Sequence, residues 1–157
     1  MSEIVLNERS LQLMKSFEDI TGAGSRDCVV DEKNERLIFV INPGDMGRAI
    51  GKSGVSIKKA SEELGKKIEV VEFSNDPVQF IKNCFLPARV ISVDIKENEE
   101  GEFEALVDVE EEDMGIAIGK GGKNIFKANK LAERQHDIAN VQIITNSEDE
   151  EEAGDLA

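Results

Sequence analysis

The sequence predicts an α+β fold built from two tandem copies of one small unit, each a three-stranded sheet with helices packed on one face. The segments 45–60 and 113–128 align without gaps and share 11 of 16 residues. Two apolar stretches separated by a polar break precede each segment, and a third apolar stretch follows it. Repetition of this kind indicates two structural units. We expect the first over 1–75, the second over 76–147, and an acidic disordered tail over 148–157.

Each unit is predicted to open with a helix. In the first, Leu13, Phe17 and Ile20 share one helical face, and the segment ends at a glycine-rich stretch. In the second, the helix begins at 76–77, where an aspartate cap precedes a proline at the first helical position. Pro87 stops this helix, because proline cannot continue it.

Three strands are predicted in each unit from β-branched and aromatic residues bounded by turn signals. The first two form a hairpin, although the alternation of apolar and polar residues is imperfect. The strands are expected at 28–30, 37–41 and 68–73 in the first unit, and at 88–95, 103–109 and 141–144 in the second.

Charge is distributed unevenly along this acidic chain, whose net charge is −14. The segments 48–67 and 115–134 each carry a net charge of +4, whereas 148–157 carries −6. Charges farther apart than about 8 Å are largely screened in physiological salt. The acidic total therefore does not exclude an anionic ligand at either basic segment.

A glycine-rich turn lies between two predicted helices in each basic segment. Glycine lets the backbone adopt positive φ and approach a ligand closely, and the next helix presents free N–H groups and the positive end of its dipole. Phosphate oxygens suit such a position, and each turn adds a lysine. A helix–helix turn with incidental lysines would explain one copy, but two copies favour anion contact. The turns read Gly51-Lys52-Ser53-Gly54 and Gly119-Lys120-Gly121-Gly122.

An Ile-Gly-X-X-Gly turn between two helices beside a three-stranded sheet resembles the KH domain. The helix at the start and the turn after the second strand resemble the prokaryotic, type II, form of that fold. The tandem pair, over roughly 3–146, resembles the archaeal NusA family of transcription factors. The chain departs from the bacterial members, since it has no room for their polymerase-binding and S1 domains.

The resemblance implies a protein that binds single-stranded RNA and acts in transcription elongation, termination or antitermination. A cytoplasmic location is expected because the two isolated cysteines fit a reduced compartment. RNA polymerase or other transcription proteins are implied as partners, although polymerase binding is not simply transferred from the bacterial proteins. A KH turn clamps the backbone of about four nucleotides. No catalytic residue, metal or cofactor is predicted, and no apolar run is long enough for a membrane helix.

The resemblance also names the residues expected at RNA. The turn residues would contact the sugar–phosphate backbone, and the isoleucines beside them, with Ile57 and Ile125, are candidates for the wall of a groove for bases. Core packing is favoured as the main role of these isoleucines. Four cations on the flanking helices have two open interpretations, phosphate contact or a solvated helix face. The full set is Arg48, Ile50, Gly51, Lys52, Ser53, Gly54, Lys58, Ile118, Gly119, Lys120, Gly121, Gly122, Lys123 and Lys127.

For four other side chains, a role other than RNA contact is favoured. Phe126 stands where the first copy has a lysine, and packing between the repeats is favoured for it over stacking on a base. His136 is expected to be a surface or interface histidine, because no carboxylate lies at a useful spacing. Cys28 and Cys84 sit among apolar residues and are expected to be buried thiols.

Three other functions compete with RNA binding in transcription. A nucleotide-hydrolysing P-loop needs four residues between its first glycine and the Gly-Lys pair. Here Gly47 leaves three before 51–52, and the required position holds Met46, so this function is rejected. A protein-interaction module that keeps the fold without RNA binding, and a ribosome-associated KH protein, both stay open.

Overall fold

The computed structural model describes residues 6–144, which divide into two compact units, one ending at Ser74 and the other beginning at Asn75. The predicted tail over 148–157 lies outside the described residues, as do the outer ends of both predicted domains. The domain bounds therefore stay a prediction.

The first unit has the predicted order of elements. Its central strand pairs antiparallel with the first strand and parallel with the third, which gives the sheet order β1-β2-β3. The elements are α1 (Glu8–Thr21), β1 (Ser25–Asp31), β2 (Arg36–Ile41), α2 (Met46–Ile50), α3 (Val55–Leu64) and β3 (Lys67–Glu72).

Local signals in the sequence set both ends of α1. The side chain of Asn7 accepts a hydrogen bond from the Ser10 amide at its start. Gly22, at φ 80°, closes its end and donates to the Glu18 carbonyl. Phe17 is fully buried on the inner face of the helix and stacks on Phe39 of the sheet, with ring centroids 4.3 Å apart. The helix is thereby fixed on one face of the sheet, as predicted.

A buried ion pair that the sequence did not predict lies at the start of β2. The Arg36 side chain has no exposed surface, and its Nε donates to Asp31 Oδ2 at 2.7 Å. Its Nη1 donates to Glu69 Oε2 at 3.0 Å. Burial alone would raise the pKa of Asp31, but hydrogen bonds from Asn34 and Arg36 hold it below its ordinary value.

The second unit repeats this order, with the sheet β4-β5-β6. β4 and β5 are antiparallel, and β5 and β6 are parallel. The elements are α4 (Pro77–Phe85), β4 (Val90–Glu97), β5 (Phe103–Val109), α5 (Met114–Ile118), α6 (Lys123–His136) and β6 (Ile138–Ile144).

The start of α4 is confirmed, since Asp76 accepts a hydrogen bond from the Val78 amide at 3.0 Å and proline occupies the first turn. β6 begins earlier than predicted, at Ile138. Asp137 ends α6 in a left-handed conformation, and the strand follows at once. The side chain of Asn129 ties the strand to α6, because it accepts from the Val141 amide at 2.7 Å and donates to the Val141 carbonyl at 3.1 Å.

The structure also shows the surroundings of the two cysteines and of the histidine. Cys28 and Cys84 are free, buried thiols, as predicted. Burial raises the pKa of the Cys84 thiol to about 12. His136 is partly exposed, and its ring centroid lies 5.3 Å from that of Phe80. Within residues 6–144, no helix combines the length and the apolar character needed to cross a membrane.

Candidate nucleic-acid interface

The two glycine-rich turns have the same backbone conformation. In each unit a five-residue helix leads into a three-residue 3₁₀ turn, and a longer helix follows. In the first turn Gly51, Ser53 and Gly54 have φ values of 76°, 56° and 77°. In the second, the corresponding glycines have φ values of 78°, 65° and 77°. Each turn therefore needs three residues at positive φ, a conformation that glycine adopts most readily.

The first glycine of each turn is needed for space as well as for its φ angle. A Cβ atom on Gly51 would lie 2.4 Å from the Oγ and 2.8 Å from the amide nitrogen of Ser56. A Cβ atom on Gly119 would lie 2.9 Å from the amide nitrogen of Asn124. At Gly54 the same atom would meet nothing within 4 Å. The first glycine thus lets the chain pack against the next helix, whereas the last faces open space.

Backbone hydrogen bonds hold each turn in shape and leave two amides at its tip. The Gly51 amide donates to the Gly47 carbonyl at 2.8 Å, and the Gly54 amide donates to the Gly51 carbonyl at 3.1 Å. The equivalent bonds of the second turn are 2.9 and 3.0 Å. The amides of Lys52 and Ser53 begin a helical turn, where N–H groups have no intrahelical acceptor. These amides can donate hydrogen bonds to an anionic oxygen.

An aspartate that the sequence analysis did not single out anchors each turn to its sheet. Asp45 accepts a hydrogen bond from the Gly24 amide at 2.8 Å and pairs with Arg48. Asp113 accepts from the Arg89 amide at 2.8 Å and from its Nε at 2.9 Å. These hydrogen bonds hold the pKa of both carboxyl groups below the ordinary value. The signal was present in the sequence, because both aspartates are identical positions of the repeat.

The cations predicted at RNA fall into two groups. Lys52, Lys58 and Lys120 are exposed, as is Arg48 with its ion pair to an aspartate, and Lys123 is partly buried. Lys127 is different, because only 7% of its surface is exposed. A solvated helix face is therefore the wrong interpretation for Lys127, whereas its contact with phosphate stays a prediction.

The burial of Lys127 has a physical reason. It precedes Ala128, which is fully buried, and lies one turn before the fully buried Leu131 on the face of α6 that packs in the unit. Its charge lies near enough to Cys84 of α4 to oppose slightly the rise in the pKa of that thiol. Lys127 therefore belongs to the interior of the second unit.

The isoleucines beside the turns are more exposed than predicted. Ile50 is 39% exposed and Ile118 is 38% exposed, so core packing is the wrong assignment for these two. Each is the last residue of a five-residue helix, and the neighbouring alanine supplies the buried contact instead. Ile57 is partly buried against the hydrophobic core of the first unit, and Ile125 is also partly buried.

Comparison with known proteins places the chain in a family. A KH-domain family model matches residues 14–103, and a model of the NusA-like second KH domain matches residues 77–148. The chain is 36% identical over 140 residues to the probable transcription termination protein NusA of Halococcus morrhuae, covering 89% of this chain and 98% of that protein. The chain belongs to the archaeal NusA family.

Two further members of the comparison agree with this assignment. The probable transcription termination protein NusA of Methanococcus vannielii is 36% identical over 141 residues, which cover 90% of this chain and 80% of that protein. The crystal structure of APE1850 superposes with a TM-score of 0.79 at 40% identity, covering 88% of this chain and 100% of that one. The predicted tandem KH fold and the resemblance to NusA are confirmed.

The two turns of this NusA-family chain differ in the side chains that surround them. Where the first unit has Arg48, the second has Ile116, which is 45% exposed. Where the first has Lys58, the second has Phe126, which is 50% exposed. With Lys127 buried, the surroundings of the second turn are less basic and more apolar than the sequence alone suggested.

Proposed function

We propose that this protein binds single-stranded RNA through both glycine-rich turns and acts in transcription elongation, termination or antitermination. Its relatives are named as probable transcription termination proteins. One observation carries the RNA-binding part: the same turn occurs twice with the same backbone angles, and both copies carry an exposed lysine. A turn conformation retained in both repeats points to a common ligand.

The contact itself follows from the geometry of the turn. A phosphate oxygen of the RNA accepts hydrogen bonds from the amides at the tip, and the ammonium groups of Lys52 and Lys120 supply the nearby positive charge. The exposed faces of Ile50 and Ile118 lie directly before the turns, where they can contact the apolar faces of bases. Arg48, Lys58 and Lys123 add charge on the flanking helices.

We assign each turn to its own domain, 1–75 and 76–147. RNA polymerase or other transcription proteins are proposed as partners and the cytoplasm as the location. No catalytic group, metal or cofactor is part of this function.

A fourfold variant tests RNA binding directly. Lys52→Asp, Ser53→Asp, Lys120→Asp and Gly121→Asp together place four carboxylates where the phosphates would lie. The matched control carries Gln at the two lysine positions and Asn at the other two, which keeps size and polarity without negative charge. Asparagine also tolerates the left-handed conformation that these turns require.

We expect the acidic variant to stay folded and to lose binding of a fluorescein-labelled single-stranded RNA of random sequence, while the control retains part of it. Four neutralised phosphates would give the wild type a log–log salt slope of roughly −3. Unchanged RNA affinity in a folded acidic variant would contradict the proposal and favour a protein-interaction module.

The role in transcription needs a separate experiment in cells. RNA and proteins crosslinked to the protein would be recovered and identified, with the acidic variant as the background. Nascent transcripts together with polymerase subunits would support the proposal. Ribosomal RNA with ribosomal proteins would contradict it and favour the ribosome-associated alternative.

A further inference from the structure

A large aromatic side chain is exposed to solvent on the helix that follows the second turn. Phe126 is 50% exposed, although it lies within a well-formed α-helix. The buried face of this helix is formed by residues such as Ala128, Leu131 and Gln135. At 100° per residue these lie on the side of α6 opposite to Phe126. The packing of the second unit therefore does not explain a phenylalanine at this position.

Phe126 lies close to the turn along the helix axis. It follows Gly122 by four residues, which is about 6 Å at 1.5 Å per residue. Helical side chains of this length lean toward the N-terminus of their helix, so the ring leans toward the turn. Lys130, one helical turn farther on, is exposed on the same face, and Lys123 lies one turn before it. The ring is thus flanked by two lysines beside the proposed phosphate contact.

An aromatic ring flanked by cations is the arrangement with which many proteins hold single-stranded nucleic acid. Every base has an apolar face that can stack on the ring, while neighbouring cations attract the backbone. The first unit has no aromatic ring here, because Lys58 occupies the aligned position and is exposed. At this position the two repeats therefore offer different chemistry to an RNA strand.

We propose that Phe126 stacks on a base of the RNA strand whose phosphates lie at 119–122, whereas Lys58 contacts a phosphate at the equivalent place in the first unit. This inference rests on the proposed function. A nucleobase is favoured over a protein as the occupant because the ring adjoins the glycine-rich turn. Protein interfaces typically bury about 800 Å² per partner, far more than one exposed ring provides.

The test combines two substitutions at Phe126 with a fluorescent base. Phe126→Ala removes the ring, and Phe126→Leu keeps an apolar side chain but cannot stack in the same way. Phe126→Tyr preserves stacking and serves as the conservative variant. Single-stranded RNAs carrying one 2-aminopurine at successive positions report stacking as quenched fluorescence, and RNAs with one abasic position report the loss of that base.

We expect the Ala and Leu variants to bind RNA about 5- to 150-fold more weakly and to lose the quenching, and the Tyr variant to behave like the wild type. One abasic position should weaken wild-type binding by a similar factor and have no effect on the Ala variant. Unchanged affinity of the Ala variant, or full affinity of the Leu variant, would overturn the stacking proposal.

A matched variant in the first unit separates the two chemistries. Lys58→Ala should make the log–log salt slope less negative by about 0.7, the value for one phosphate on a single strand, and should leave quenching unchanged. If the fourfold acidic variant loses RNA binding while Phe126→Ala binds normally, only the stacking proposal fails. If neither variant affects binding, the proposed function fails as well.

Discussion

The two units of this chain are more alike in the backbone conformation of their turns than in the side chains exposed around those turns. The first glycine of the turn has φ 76° in one unit and 78° in the other, and the last has 77° in both. Around these turns, a cation in the first unit is replaced by an isoleucine and another by a phenylalanine in the second. The conformation of the turn is thus the common requirement, and the side chains around it distinguish the two sites.

The units also differ in how they are held together. The helix after the turn has 10 residues in the first unit, where Gly65 ends it in a left-handed conformation. It has 14 residues in the second, where Glu133 occupies the aligned position. The first residue of the central strand is the buried Arg36 in one unit and the exposed Phe103 in the other. Similar folds are therefore stabilised by different interactions.

The largest expected effect concerns the buried charge of the first unit. Arg36→Ala removes the buried guanidinium that pairs with Asp31 and Glu69, and breaking a buried ion pair typically costs about 3–5 kcal/mol of the free energy of unfolding. Urea unfolding followed by circular dichroism measures this loss. Arg9→Ala, which removes an exposed pair with Glu32, is the control and should have a much smaller effect. Equal effects of the two substitutions would contradict the assignment.

A smaller effect should distinguish the two glycines of one turn. Gly54→Ala introduces a side chain at positive φ, which costs about 1–2 kcal/mol, but meets no neighbouring atom. Gly51→Ala also brings its Cβ atom into a clash with Ser56. Such overpacking typically costs about 1–3 kcal/mol more. Thermal unfolding of both variants gives the comparison. The same order is expected for Gly119→Ala and Gly122→Ala, and a reversed order in either unit would show that the space at the first glycine is not limiting.

The smallest expected effect concerns the anchoring aspartates. Because the pKa of Asp45 and of Asp113 is lowered in the folded protein, their contribution to stability is present above the ordinary carboxyl pKa and is lost as the pH falls through the folded value. Asn at either position should lower the melting temperature slightly at neutral pH and flatten its decline below about pH 5. Asp94→Asn, at an exposed pair with Lys96, is the control. Identical pH profiles for all variants would contradict an anchoring role.

Much of the fold could be predicted because its signals are local. The cap at Asp76, the closing glycine at Gly22 and the glycine-rich turns each specify backbone conformation within a few residues. Because the unit is repeated, each element could be predicted twice. The turn residues proposed to contact RNA were all identified in this way.

The features that could not be predicted depend on residues far apart in the chain. Glu69 is 33 positions from Arg36, so no local pattern indicates that this arginine is buried. The exposure of Ile50 and Ile118 depends on which side of each short helix packs in its unit, which apolar spacing does not specify. Lys127 is a partial exception, because its spacing of four from Leu131 placed it on the apolar stripe of the helix.

An RNA titration of the ¹⁵N-labelled protein, followed through backbone amide resonances, tests the central claim most directly. The account predicts that single-stranded RNA shifts the amide resonances of residues 51–54 and 119–122. The amide resonances of Gly65 and Gly101, which lie in other turns, should not change. Shifts confined to residues outside the two glycine-rich turns would contradict it.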